Sequence, residues 1–243
     1  MHTGHLQYIP LPWPFYALLF IVLGILSVLI QIGIIRYVYG RLGISSVTAM
    51  VLLLASLLGS YLNIPIAHLA GETVFMEERY DIFGMEFSMP TQVDWPGTII
   101  AINLGGAVIP IMLSLYLLAK KNIWLPGIIA TAVVSVVCYR LATPVYGAGI
   151  TIPVFIPPIT ACAVSCLLAW SEAPAVAYVS GSLGTLIGAD LMNFGHVRQL
   201  GTPIASIGGA GTFDGIFITG IFAVVLASIA GTLGSGDATR GTA

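Results

Sequence analysis

Pro174-Ala175-Val176-Ala177-Tyr178-Val179-Ser180-Gly181-Ser182-Leu183-Gly184-Thr185-Leu186-Ile187-Gly188-Ala189-Asp190-Leu191-Met192-Asn193 is a run of 20 residues with one charge, Asp190. A helix needs about 20 apolar residues to cross the hydrocarbon of a bilayer. Six more stretches read the same way: 14–35, 46–66, 97–119, 124–143, 152–170 and 213–233. The fold class expected is therefore all-α, a polytopic transmembrane helix bundle of about seven spans. The stretch 152–170 opens on Pro153, Pro157 and Pro158. Prolines bend or break a first turn, so six spans plus one re-entrant segment is the alternative count.

Composition agrees with a lipid-facing chain. Apolar residues make up 58% and charged residues 7% of the 243 residues. A soluble domain carries roughly 25% charged residues. The net charge of -2 and the absence of a basic run exclude a nucleic-acid partner. The partner expected is the lipid bilayer. Cys138, Cys162 and Cys166 all lie in apolar runs and are odd in number, which argues for small core hydrophobes and against a disulfide framework. No cleavable signal peptide is expected: the N-terminus lacks a basic n-region, and Pro10, Pro12 and Pro14 precede the first apolar run.

Loop charges set the direction of insertion. Arg36, Arg41, Lys120, Lys121 and Arg240 fall on one side of a seven-span chain, and Arg79, Arg140 and Arg198 on the other. The richer side is the cytoplasmic one. The N-terminus is then outside, the C-terminus cytoplasmic, and the protein a multi-pass protein of the cell membrane. The outer side also holds the acidic stretch Glu72, Glu77, Glu78, Asp81, Glu86 and Asp94. Trp13, Phe15 and Tyr16 at the start of the first span suit an interfacial aromatic belt.

Residues 1–243 read as one membrane domain whose long loop is 67–96. Alternation in Thr73-Val74-Phe75-Met76 and in Met85-Glu86-Phe87-Ser88-Met89 predicts a small extramembrane β-hairpin, either a lid or partner surface, or a cover for helix ends. Asn103-Leu104-Gly105-Gly106 and Ile207-Gly208-Gly209-Ala210 echo each other, too briefly to count as a repeat.

An ionisable or amide side chain inside a span is costly and marks a functional hypothesis. Asp190 lies near the outer end of span six, with Asn193 three residues on and so on the same face. Asp214 opens span seven after a glycine-rich stretch that includes Gly209 and Gly211. Arg140 lies in the last turn of span four, and Asn103 about two turns into span three. The predicted topology puts all of them in the outer half of the membrane. The bland reading is a salt-bridged plug, with Arg140 neutralising one aspartate. His68 and His196 lack a second ligand at i+3 or i+4, so neither a metal nor another cofactor is expected.

The stretch Gly208-Gly209-Ala210-Gly211-Thr212-Phe213-Asp214-Gly215-Ile216-Phe217 resembles the catalytic helix of the GxGD intramembrane aspartyl proteases, the group of presenilins and signal peptide peptidases. The resemblance covers roughly 50 residues of the C-terminal half. It implies Asp214 and Asp190 as the catalytic pair and a transmembrane helix as substrate. This chain departs from the pattern at three places. Two extra residues precede Asp214, Ala189 stands where the family has tyrosine before the other aspartate, and Thr202-Pro203-Ile204-Ala205 stands in place of a Pro-Ala-Leu motif. The whole chain is also similar to an uncharacterised family of prokaryotic multi-spanning membrane proteins, which implies no activity. Two other functions fit the same polar residues: an ion-coupled or small-solute transporter or binding protein built on broken spans, and a non-catalytic membrane scaffold.

Overall fold

The computed structural model describes residues 7–8, 13–31, 40, 42–71, 73–82, 85–94, 97–145, 149–200, 202–209 and 215–238. The elements in chain order are β1 (Gln7–Tyr8), α1 (Trp13–Gln31), α2 (Ser46–Gly59), β2 (Leu62–Ala70), β3 (Thr73–Ile82), β4 (Met85–Asp94) and β5 (Gly97–Asn103). A five-residue π turn, Leu104–Val108, runs from β5 into α3 (Ile109–Lys121). Then come α4 (Trp124–Leu141), β6 (Thr143–Val145), β7 (Gly149–Thr151), α5 (Ile156–Leu168) and α6 (Ala173–Thr185). A second π turn, Leu186–Leu191, ends α6, and β8 (Ile204–Ile207) and α7 (Gly215–Ala238) complete the order.

Helix dominates, and two of the described helices are long and apolar enough to cross a membrane. They are Leu104–Lys121 and Trp124–Leu141, with mean hydropathies of 1.4 and 1.6. The central element is α6. Almost every residue of it is buried, because its alanines, glycines and serines let α4, α5 and α7 approach closely on all sides. Outward faces of the neighbours are apolar as well: Leu125 is 72% and Leu167 85% exposed. Large apolar side chains at such exposure are unfavourable in water and neutral in lipid.

The expectation of an all-helical chain with a single hairpin needs correction. Three sheets are present among the described residues. Strands β3 and β4 form the expected hairpin, paired from Thr73↔Asp94 to Ile82↔Met85. Its flanks, read as loop and span ends, join a four-stranded sheet of order β1-β2-β5-β8. The stretch 46–66 is helical only to Gly59, and 97–119 only from Leu104. The physical reason is the β-branched run Thr98-Ile99-Ile100-Ala101-Ile102. A short apolar run fits a buried strand as well as a buried helix turn, and only its partners decide. Here both edges of β5 are paired, antiparallel to β2 and parallel to β8. A further small hairpin, β6–β7, precedes the proline-rich start of α5, where Pro157 sits in the first turn.

The two ends of the bundle differ chemically. At one end Lys121 Nζ pairs with Glu172 at 3.1 Å, and Lys120 Nζ donates to the Gly43 carbonyl at 2.7 Å and to the Tyr116 hydroxyl at 2.8 Å. At the other end lie the sheet and both π turns.

Candidate functional site

Strands β5 and β8 lie side by side and parallel, in register from Ile99↔Ile204 to Ile102↔Ile207. The next residues on each are Asn103 and Gly208. The short echo in the sequence thus becomes two neighbouring strand ends, one leading into a π turn and the other into Gly208-Gly209. An apolar cluster of Ala107, Leu186 and Ile216, with Ile102, Ile111 and Ile207 against it, joins both π turns to the start of α7. π turns add a residue to a helix and re-aim the side chains beside it, often at functional sites.

Asn103 is fully used by the protein. Its Oδ1 accepts from the Gly106 amide at 2.8 Å, capping the turn that starts α3. Its Nδ2 donates to the Ser60 carbonyl at 2.7 Å and to Asn63 Oδ1 at 3.0 Å. Asn63 faces Asn103 across the β2–β5 pair, and both are buried. Ser206 on β8 donates to the same Asn63 Oδ1 at 2.5 Å. Ser56 Oγ donates to the Gly105 carbonyl at 2.6 Å, where α2 crosses the π turn. A Cβ at position 105 would run into the backbone of Ser56 and Ser60, so that crossing requires glycine.

Asp190 sits inside the second π turn and is partly buried. Its Oδ2 accepts from the Gly208 amide at 2.7 Å. Gly208 has φ +93° and Gly209 φ +96°. A Cβ on Gly208 would meet Ala107 and Gly106 at 2.7–2.8 Å, so this turn is open only to glycine. The Gly209 amide folds back onto the Ser206 carbonyl at 3.3 Å. Polar contacts therefore run from Ser56 through the Gly105–Gly106 peptide, Asn103 and Asn63 to Ser206, whose carbonyl accepts from Gly209, the neighbour of the Gly208 that holds Asp190.

The residues singled out in the sequence fall into separate places. Asp190 and Gly209 are in this turn region, and Asn103 reaches it through Asn63 and Ser206. Asn193 is buried, but its Nδ2 donates to the Gly188 and Ala189 carbonyls at 3.0 and 3.1 Å. It closes the end of the π turn that presents Asp190. Arg140 is exposed, and among the described residues it is not paired with Asp190. Asp214 and Gly211 lie outside the described residues, as do Arg36, Arg41, Glu72 and Arg240. Asn63 and Ser206 escaped the sequence reading. Asn63 lies in a stretch read as a span, and the search for amides that cannot reach water, which found Asn103, applies to it equally. Ser206 carried no such signal.

Fold and site together define a predominantly helical protein with two helices of membrane-crossing length, and an acid held in a broken helix against a glycine turn. The chain belongs to the family described as a protein of unknown function, DUF1614, whose model matches residues 57–226. No curated protein and no solved structure matches it.

Proposed function

We propose that the protein is a multi-pass membrane protein of about seven spans whose Asp190 and Asp214 form one acid pair, acting as an intramembrane aspartyl protease. The N-terminus is outside and the C-terminus cytoplasmic, so the pair lies in the outer half of the bilayer. One observation carries the reading: Asp190 is bonded to Gly208, the turn from which the chain proceeds to Asp214. A second contact supports it from the far side, since Ile216 packs with Leu186, one turn before Asp190.

The chemistry follows from charge. Two carboxylates that share a site do not both ionise and instead hold one proton between them. The ionised member takes a proton from water as it attacks the scissile carbonyl, and the protonated member donates to the carbonyl oxygen. The pair titrates as a unit. A substrate helix must unwind for this, and the sheet end of the bundle offers strands rather than helices beside the site.

The runner-up reading is a transporter. Two π turns at helix ends, Leu104–Val108 and Leu186–Leu191, joined by one apolar cluster, favour it, because irregular helix ends facing one another are how transporters build solute sites. Reconstituted protein decides between the two. Cleavage of a model transmembrane helix, abolished by Asp190→Asn and by Asp214→Asn with the fold intact, supports the protease. Ion-coupled uptake altered by the same changes, with no cleavage, overturns it.

A further inference from the structure

The polar chain that ends on Asp190 contains a residue pair that no cap or turn requires. Ser206 Oγ lies on β8 and bonds Asn63 Oδ1 on β2, past the intervening strand β5. Ala101 pairs with Ser206 on that strand, and its small, buried side chain leaves the path clear. Asn63 Oδ1 accepts two donors, Ser206 and Asn103. Its Nδ2, fully buried, has no partner among the described residues. Leaving a buried amide donor unmet is costly, and such a group calls for an explanation. The oxygen is what this position uses.

We propose that Ser206, anchored by Asn63, is a positioning residue for Asp190; the inference rests on the aspartate-pair reading above. Two bonds of Ser206 flank the one that matters. Its side chain is tied to Asn63, and its carbonyl accepts the Gly209 amide at 3.3 Å. The Gly208 amide between them is thereby aimed at Asp190 Oδ2. Two consecutive glycines have no side chains to hold such a turn in place, and glycine is the residue with most conformational freedom. The anchor comes from outside the turn, and Ser206 supplies a side-chain anchor beside the backbone pairing of β8 with β5. Ser206 touches no reacting atom; it acts through Gly208.

The test uses full-length protein in lipid nanodiscs, wild type and with Ser206→Ala or Ser206→Thr. Hydrogen exchange of the 204–209 segment and cleavage of a model transmembrane helix are both measured. Ser206→Ala is expected to speed exchange at Gly208 and Gly209 about tenfold, the worth of one buried hydrogen bond. It should lower kcat about tenfold while KM stays within about twofold, because an interaction used to aim the acid is lost, not one that binds substrate. Ser206→Thr keeps the hydroxyl and should restore both. Unchanged exchange in Ser206→Ala, or failure of threonine to rescue, overturns the proposal. So does faster exchange spreading into α3 and α4, which would make Ser206 a general structural residue. If the wild type cleaves nothing and Asp190→Asn changes nothing, the protease reading fails. Exchange at Gly208 then still decides whether Ser206 aims that amide.

Discussion

The two turns that follow β5 and β8 at the sheet end lie side by side and differ in who satisfies them. On the first, β5 leads through Leu104–Val108 into α3, and Asn103 caps the turn with its own side chain. Every polar group of Asn103 is spent inside the protein. On the second, β8 leads into Gly208-Gly209, which have no side chain to spend. The amide there goes to Asp190, from the π turn that ends α6. Parallel neighbours of similar sequence thus diverge into a turn capped by its own asparagine and one whose amide holds an acid from elsewhere in the chain. A backbone amide holding a carboxylate leaves the carboxylate's other oxygen for chemistry, whereas an amide capped by asparagine offers nothing.

This contrast can be broken, starting with the largest effect. Replacing either acid, Asp190→Asn or Asp214→Asn, should lower cleavage of a helical substrate by about 10²–10⁴-fold, the usual worth of an acid–base group. Asn103→Ser, which keeps an acceptor for the Gly106 amide, should leave more than a tenth of the activity, if the first turn is structural. Comparable losses in both turns would erase the distinction.

The next effect is on stability. Gly208→Ala puts a Cβ against Ala107 at a positive φ, and should cost about 2–4 kcal/mol, from overpacking plus strain, in thermal or denaturant unfolding. Gly105→Ala should cost a similar amount, since both turns are closed by backbone contact. An alanine tolerated at Gly208 alone would mean that the second turn relaxes freely.

Asn103→Ala removes a cap and two buried bonds, leaving the Ser60 carbonyl and the Gly106 amide without it. About 2–3 kcal/mol of stability should be lost, with residual activity falling no further than the folded fraction.

The smallest effect belongs to the opposite end. Lys121→Met removes the pair with Glu172, whose side chains are 23% and 35% exposed. Solvent screens such a pair, so the loss should be no more than about 0.5 kcal/mol and should vanish in high salt. Arg140→Gln, exposed and unpaired with Asp190, should behave alike. A large loss of thermal stability in Arg140→Gln would restore the salt-bridged plug.

The isolated acid Asp190, the asparagine before the Gly105-Gly106 pair and the hairpin are legible in the sequence, because each is a local signal. Asp190 is an isolated charge in 20 residues, and the hairpin alternates with period two. Strand β5 was misread as helix because its apolar run has no period of its own. Asn63 was passed over because the stretch containing it was counted as a span. Depth groups Arg140 with the aspartates but does not fix which way a side chain points: Arg140 is not paired with Asp190, and Asp214 lies outside the described residues.

The sequence by itself determined that this chain is apolar enough to face lipid and where its few charges fall along it, since composition and spacing are properties of the chain. Only the tertiary structure decided that Thr98–Asn103 is a strand, that Asn63 and Ser206 meet across it, and that Asp190 rests on Gly208. Those pairings join residues 143 and 18 positions apart. Hydrogen bonds between distant segments depend on how strands and helices pack, and no local pattern encodes that.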